Sequence, residues 1–395
     1  MPVLTLLPLL ALLSCASIDA PRESAPRAVA SKARTLTVDC TGAAEYADIV
    51  TAVEAADSGD TIEVAPCTYE GSVDFRGREV HIVATGGPEV TFIVATEGEP
   101  VVEAHRGEGP DTILEGFTLV GGGGAERAAI EDEFSALTLR DVVITASAGF
   151  VTVYARSSFL RLENVWIDES NTPALGMQVQ ARRGALVVKD SIVSCGAAAV
   201  GVQVEHGAGF LDGLTTDCAG VEGVHLENSP SRVQRSVFTG RFTVVNEDRS
   251  EEAAVMEGNV FLGGLSVSVA AAELHNAVFS GAGIVTSASS VSVSGAIFTG
   301  ATCALESSGA GTLRVEYSAF HDNVSNHCSA ADPVGSNGNI EADPSFTDLA
   351  AGDFTLRAGS SAIDAGSPAD SYRDVDGSRN DIGAWGGPFQ LGGGW

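Results

Sequence analysis

Lysine is almost missing from this chain. Only Lys32 and Lys189 occur among 22 basic residues, and 52 carboxylates leave a net charge of −30. A surface so acidic repels nucleic acid, which argues against DNA or RNA as a partner. It repels acidic polysaccharides as well, unless divalent cations bridge the two. Aromatic residues make up only 6% of the chain. No segment beyond the first residues is long and apolar enough to span a bilayer as a helix. No complete catalytic signature stands out either. Glycine is abundant, with 46 residues, and 44% of the chain is hydrophobic. Such a chain is too apolar for disorder and rich in turns. Its 395 residues allow two or three ordinary domains or one long repetitive domain.

Residues 3–13 form an apolar run that ends in Leu12-Leu13-Ser14-Cys15. The run is too short for a membrane span and suits a signal-peptide core. Its end resembles the lipobox of bacterial lipoproteins, although no Lys or Arg precedes the core. The resemblance implies a leader over 1–14 and a lipid on Cys15. Residues 15–33, rich in Ala, Pro, Ser and charge, read as a flexible tether. The expected location is the bacterial cell envelope, anchored to the membrane, with plain secretion as the alternative. Export places the other six cysteines in an oxidising compartment.

One short pattern recurs every 18 to 26 residues between 114 and 320: aliphatic, any, turn-former, two of any kind, large apolar. Its first column reads Leu114, Leu139, Leu162, Val188, Leu211, Val233, Met256, Leu274, Val293 and Val315. Its last reads Leu119, Ile144, Ile167, Val193, Thr216, Phe238, Phe261, Phe279, Phe298 and Phe320. The turn-former is Gly, Asn or Asp except at Arg235 and Tyr317, and these residues tolerate a left-handed backbone. Units this short cannot hold a full strand–helix–strand crossover. They predict a right-handed parallel β-helix of about 22 residues per coil, with like residues stacked ~4.8 Å apart. The residue before the turn-former alternates in sign through Glu115, Arg140, Glu163, Lys189 and Asp212, as attraction between neighbouring rungs requires.

Cys195 and Cys218 each follow their coil's last core position by two residues, so stacking brings them within bridging distance. Cys40 and Cys67, and Cys303 and Cys328, are also about one coil apart. Three disulfides are expected, with one pair left reduced in the core as the alternative. Ile49, Ala52, Val53 and Ala56 mark an amphipathic helix within 45–57 that would cap the open front of the coils.

Two stretches carry a family resemblance. "IVTAVEAADSGDTIEVAPCTYEGSVDFRGREVHIVA" is similar to the segment that opens secreted parallel β-helix proteins of the pectate-lyase-like superfamily, with Cys67 where relatives have glycine. "DPSFTDLAAGDFTLRAGSSAIDAGSP" and "DVDGSRNDIGAWGGP" resemble the end of many secreted bacterial β-helix proteins. The resemblance covers most of residues 35–388. It implies the fold and leaves the activity open, because this scaffold hosts many. The expected organisation is a cap and first coils over 34–111, regular coils over 112–330, and a C-terminal cap and tail over 331–395.

Extending the register backwards places Val151-Val153-Ala155, Met177-Val179-Ala181, Val200-Val202-Val204 and Val224-Leu226 inward. Two outward columns follow: Tyr154, Gln180, Gln203, His225, and Arg156, Arg182, Glu205, Glu227, flanked by Thr152 and Gln178. An aromatic ring with amides, guanidinium groups and carboxylates on a flat sheet is a sugar-binding chemistry. A solvated charge ladder is the other reading. Residues 140–189 also form a locally basic strip that could accept an acidic ligand: Arg140, Arg156, Arg161, Arg182, Arg183 and Lys189 against Asp141, Glu163, Asp168 and Glu169.

Arg182, Glu205 and Glu227 are the catalytic candidates. The glutamates could share a proton or calcium, or act as a glycosidase pair. The lyase and polygalacturonase motifs of the superfamily are not matched; "EHGAG" at 205–209 is only superficially similar to the latter. His321, Asp322, His327 and Cys328 are close in sequence, with Cys328 expected in a bridge rather than on a metal. Asp374, Asp376 and Asp381, near Asp370, resemble a calcium loop without its terminal glutamate, or an Asx-turn network. No cofactor is required, and calcium is the one the sequence suggests. The sequence thus points to a monomeric, exported, non-catalytic module that binds polysaccharide or serves as an adhesive or structural element. A polysaccharide lyase or glycoside hydrolase using the same face is the alternative.

Overall fold

The computed structural model describes residues 32–96, 98–124, 126–168, 176–247 and 253–390. Cys15 and the lipid expected on it lie outside the described residues, as do the leader, most of the tether and Glu169. From Thr35 onward the chain winds as an all-β parallel β-helix with three faces. The inward column of the first face runs without a break through Leu36, Ile62, Ile82, Leu114, Leu139, Leu162, Val188, Leu211, Val233, Met256, Leu274, Val293 and Val315. The ten positions expected to stack do so, and three more rungs extend the column at the front. All are buried.

The second face carries the large apolar column. Its phenylalanines form a stack inside the cylinder: ring centroids of Phe261 and Phe279, Phe279 and Phe298, and Phe298 and Phe320 lie 4.8, 4.9 and 5.1 Å apart. Their planes differ by only 10–12°, because the rung spacing of a parallel sheet matches the separation of stacked rings.

The bend between these faces is left-handed at every turn-former from Gly116 to Tyr317. Arg235 and Tyr317 adopt φ 47° and 48° like the glycines and asparagines around them. Such a bend takes the next backbone N–H out of the ladder, and that group needs a partner. Side chains of the rung above supply it: Ser191 accepts from Val165 N–H, Ser236 from Leu214 N–H and Asn259 from Ser236 N–H, each at 3.0 or 3.1 Å. The alternating charges before the bend are real neighbours. Arg140 reaches Glu115 at 3.1 Å and Glu163 at 2.9 Å.

A second left-handed corner follows the third face, at Phe134, Ser157, Arg183, His206, Asn228 and Val269. Most of these residues do not favour that backbone, so the sequence carries no signal for this bend. It is held by N–H groups donating one rung onward, as from Ser157 to the Arg182 carbonyl at 2.8 Å.

All three disulfides form, with Cα separations of 6.3 Å for Cys40–Cys67, 4.9 Å for Cys195–Cys218 and 5.9 Å for Cys303–Cys328. Such bridges fit an exported protein. The capping helix is Ile49–Ala55, shorter than expected, and Asp48 caps it by accepting from Thr51 N–H. Ile49, Ala52 and Val53 face the core. At the other end the chain turns back over the outside of the second face. There Phe346, Phe354, Ala362, Ile382 and Ala384 cover Val237, Val260, Val278 and Ile297.

One phase expectation is corrected on the third face. Val153, Ala155, Val179, Ala181, Val202, Val204, Val224 and Leu226 point inward, but Val151, Met177 and Val200 are only half-buried. Thr152 and Gln178, expected outside, are fully buried. Thr152 donates to Gln178 at 2.8 Å, and Gln178 donates to the Cys195 carbonyl at 3.1 Å. At the same position one rung on stands Gly201, whose missing side chain leaves room for the Cys195–Cys218 sulfurs; a Cβ there would lie 3.1 and 2.9 Å from them. Thr152, Gln178 and, at Gly201, the disulfide sulfurs thus occupy the inward corner on successive rungs.

Candidate functional site

The third face carries the two expected columns in the expected register. Tyr154 neighbours Gln180, Gln180 neighbours Gln203, and Gln203 neighbours His225. Arg156, Arg182, Glu205 and Glu227 follow beside them in the same order. Both columns extend to an earlier rung than the sequence suggested, at Glu131 and Glu133, and the first continues through Glu103 to Asp74.

That extra rung resolves the like-charge neighbours. Arg156 turns back to Glu133 at 2.9 Å, while Arg182 turns forward to Glu205 at 2.6 Å. Gln180 adds a 3.4 Å hydrogen bond to Glu205. Glu227 lies 3.8 Å from His225, which is held by Glu222 at 3.1 Å. The hydrogen bond to Glu222 raises His225 above its ordinary value against the effect of burial, and the charges of Glu222, Glu227 and Glu205 add to the rise. Burial disfavours the Glu222 anion, but hydrogen bonds from His225 and Thr243 outweigh it and hold that carboxyl low. Each catalytic candidate therefore stands in an ionic contact with a neighbour.

A groove of about 400 Å³ opens beside Tyr154 and Gln180. Its other walls are Glu126, Arg127, Ala128, Glu131, Glu133, Phe150 and Val151. Arg127 organises it by reaching Glu131, Glu103 and Glu99 at 2.6, 2.9 and 3.2 Å. The bond to Glu131 leads in raising the Arg127 pKa, so its charge is permanent. Arg156 also lies over the Phe134 ring at 5.0 Å. Two guanidinium groups, Arg127 and Arg156, thus meet four carboxylates at Glu99, Glu103, Glu131 and Glu133, and Glu126 also lines the groove.

The basic strip expected over 140–189 does not exist as one surface. Arg140 and Arg161 stand on the first face, paired with Glu163 at 2.9 and 3.1 Å, and Lys189 neighbours Glu163 there. Arg156 and Arg182 stand on the third face. Acids contributed by rungs before and after the window cancel the local excess.

Sequence periodicity misses the rung at 130–133 because Asp132 occupies an inward position that is apolar on the neighbouring rungs, at Ala104, Ala155 and Ala181. Asp132 lies between Ala104 and Ala155, fully buried, and among the described residues neither oxygen has a hydrogen-bond partner. Burial pushes this carboxyl up to about 7, opposed by the nearby Ser158 hydroxyl and helped by the charge of Glu108. The alternation of Glu131 and Glu133 was the available signal.

In the C-terminal segment, Asp374 accepts from the N–H groups of Asp381 and Gly387, Asp376 from Ser378, and Asp381 from Asp364 N–H. Burial and the charges of Asp374 and Asp364 push Asp381 up to about 6. Among the described residues no group of three or more acidic, histidine or cysteine side chains is arranged to hold a metal ion. Cys328 is in its disulfide, and His321 lies 3.9 Å from Asp343.

No family model matches the chain, and no curated protein matches it. Among solved structures the chain is similar to the crystal structure of pectate lyase Pel9A, with 14% identity and a TM-score of 0.42 over 90% of this chain and 96% of that one.

Proposed function

We propose that this chain is an exported, non-catalytic glycan-binding module, carried at the cell envelope by a lipid on Cys15, with its ligand in the groove beside Tyr154. The observation that carries the reading is the lining of that groove. Phe150 and Tyr154 bring aromatic rings on which a pyranose can stack, and Gln180, Glu131 and Glu133 bring the planar acceptors and donors that sugar hydroxyls use. Carboxylates outnumber guanidinium groups there, which favours a neutral glycan over an acidic one. The non-catalytic part rests on Arg182, Glu205 and Glu227. Their charges are spent on Glu205, on Arg182 and on His225, so the ladder explains them as structure.

The test is affinity electrophoresis of the mature protein through gels containing neutral or acidic polysaccharides, with assays for reducing ends and unsaturated products. Retention by a neutral polysaccharide, weakened about tenfold by Tyr154→Ala (~1.4 kcal/mol), is the expected result. Absence of retention in every gel would overturn the binding assignment. Turnover abolished by Arg182→Ala would overturn the non-catalytic one.

A further inference from the structure

The outward column of the second face is apolar over much of its length, and its two halves are treated differently. From Val237 to Ala319 it is covered by the chain's own C-terminal segment. Earlier, Val143, Trp166 and Ile192 are consecutive register partners: Val143 is half-buried, and Trp166 and Ile192 are left bare at 46% and 45% exposed. Single exposed apolar residues are ordinary, but adjacent ones on a flat sheet make a contiguous patch, and such patches mark binding surfaces.

These residues floor a second groove of about 570 Å³. Pro88 and Gly87 form its wall, and the Thr118 hydroxyl pins the Pro88 carbonyl at 2.7 Å. Asp141 and Asn164 form its polar edge, tied together by a 2.6 Å hydrogen bond from the Asn164 amide. Both sit at the left-handed bend, so their side chains project at the sheet edge. The apolar platform covers three rungs, roughly 10–14 Å with side-chain breadth. A stable protein interface needs about 800 Å² per partner, far more than three side chains expose. One or two pyranose rings fit that span.

We infer that the groove over Trp166 is a second carbohydrate site, which stacks a neutral pyranose on the indole and hydrogen-bonds its hydroxyls through Asp141 and Asn164. The carboxylate edge disfavours uronic acids. This site lies on a different face from the Tyr154 groove and does not rest on the assignment made there.

The experiment follows acrylamide quenching of tryptophan fluorescence in the full mature chain, with cellohexaose, xylohexaose, mannohexaose and, as the acidic control, hexagalacturonate. At least one neutral hexaose is expected to shield the indole and lower the quenching constant. Trp166→Phe should abolish that shielding, and Asn164→Ala should weaken binding about tenfold. Tyr154→Ala should leave the shielding intact, which separates this site from the other. No protection by any neutral hexaose would overturn the proposal, as would protection that survives in Trp166→Phe. Stronger protection by hexagalacturonate than by all three neutral sugars would overturn the ligand class. Loss of native circular dichroism in a variant would be checked first, and Trp166→Tyr then supplies the same comparison.

Discussion

Arg182 Nε lies 2.6 Å from Glu205 Oε2 across one rung, although Arg182's register neighbour on the other side is another arginine. Glu205 keeps only 11% of its side chain exposed, whereas Glu133, the partner of Arg156, keeps 29%. Removing a partner from the drier carboxylate should cost more. Arg182→Ala is expected to lower stability by about 1–3 kcal/mol, and Arg156→Ala by about half that. Adding Glu205→Gln to Arg182→Ala should restore part of the loss. Denaturant melts of the four proteins decide it, and equal costs for the two arginines would refute the account.

Asp132 makes stability depend on pH in the opposite sense to a salt-bridged carboxylate. Burial holds it near 7 in the folded chain against 3.8 for the free group. The folded state therefore keeps a proton that the unfolded state loses first. Its favourable contribution is complete below about pH 4 and disappears as pH rises towards 7. Asp132→Asn should match the wild type near pH 4 and exceed it by up to about 4 kcal/mol above pH 7. Melting temperatures measured across that range would show a widening gap; a constant gap would contradict the assignment.

Gly201 and Gly220 should fail for different reasons. A Cβ at Gly201 would lie 2.6 Å from the Gly223 carbonyl oxygen and 2.9 Å from the Cys218 sulfur. Gly220 meets nothing within 4 Å but has φ +83°. Gly201→Ala is expected to cost roughly 1–3 kcal/mol through overpacking, and Gly220→Ala about 1–2 kcal/mol through backbone strain. Replacing both Cys195 and Cys218 by Ala should make Gly201→Ala less costly and leave Gly220→Ala unchanged. Identical behaviour of the two in the bridge-free background would count against the steric explanation.

Phe279 is sandwiched between Phe261 and Phe298 at 4.8 and 4.9 Å. Phe279→Ala opens a cavity inside the cylinder that neighbouring rungs, held by their ladders, cannot close. A loss of about 3–5 kcal/mol is expected, against about 1–2 kcal/mol for Phe279→Leu. Unfolding curves would be at odds with this if both variants lost less than 1 kcal/mol.

Chain order alone determined the winding of this protein. A parallel stack places equivalent residues over one another, so periodicity in aliphatics, in left-handed residues and in cysteines translated directly into columns, bends and bridges. The two outward columns at Tyr154 and Arg156 were legible for the same reason. The tertiary structure decided what periodicity does not encode. Asp132 hid a rung by placing a carboxyl at a core position, and with it the Glu131–Arg127 groove. Phe134, Ser157 and Val269 bend leftward without the residues that advertise a bend. Arg182 and Arg156 choose opposite partners, and the C-terminal segment covers one half of the second face while leaving Trp166 bare. Each of these is a contact between rungs or across the outer surface. Its energy depends on which side chains meet in space, which spacing along the chain does not specify.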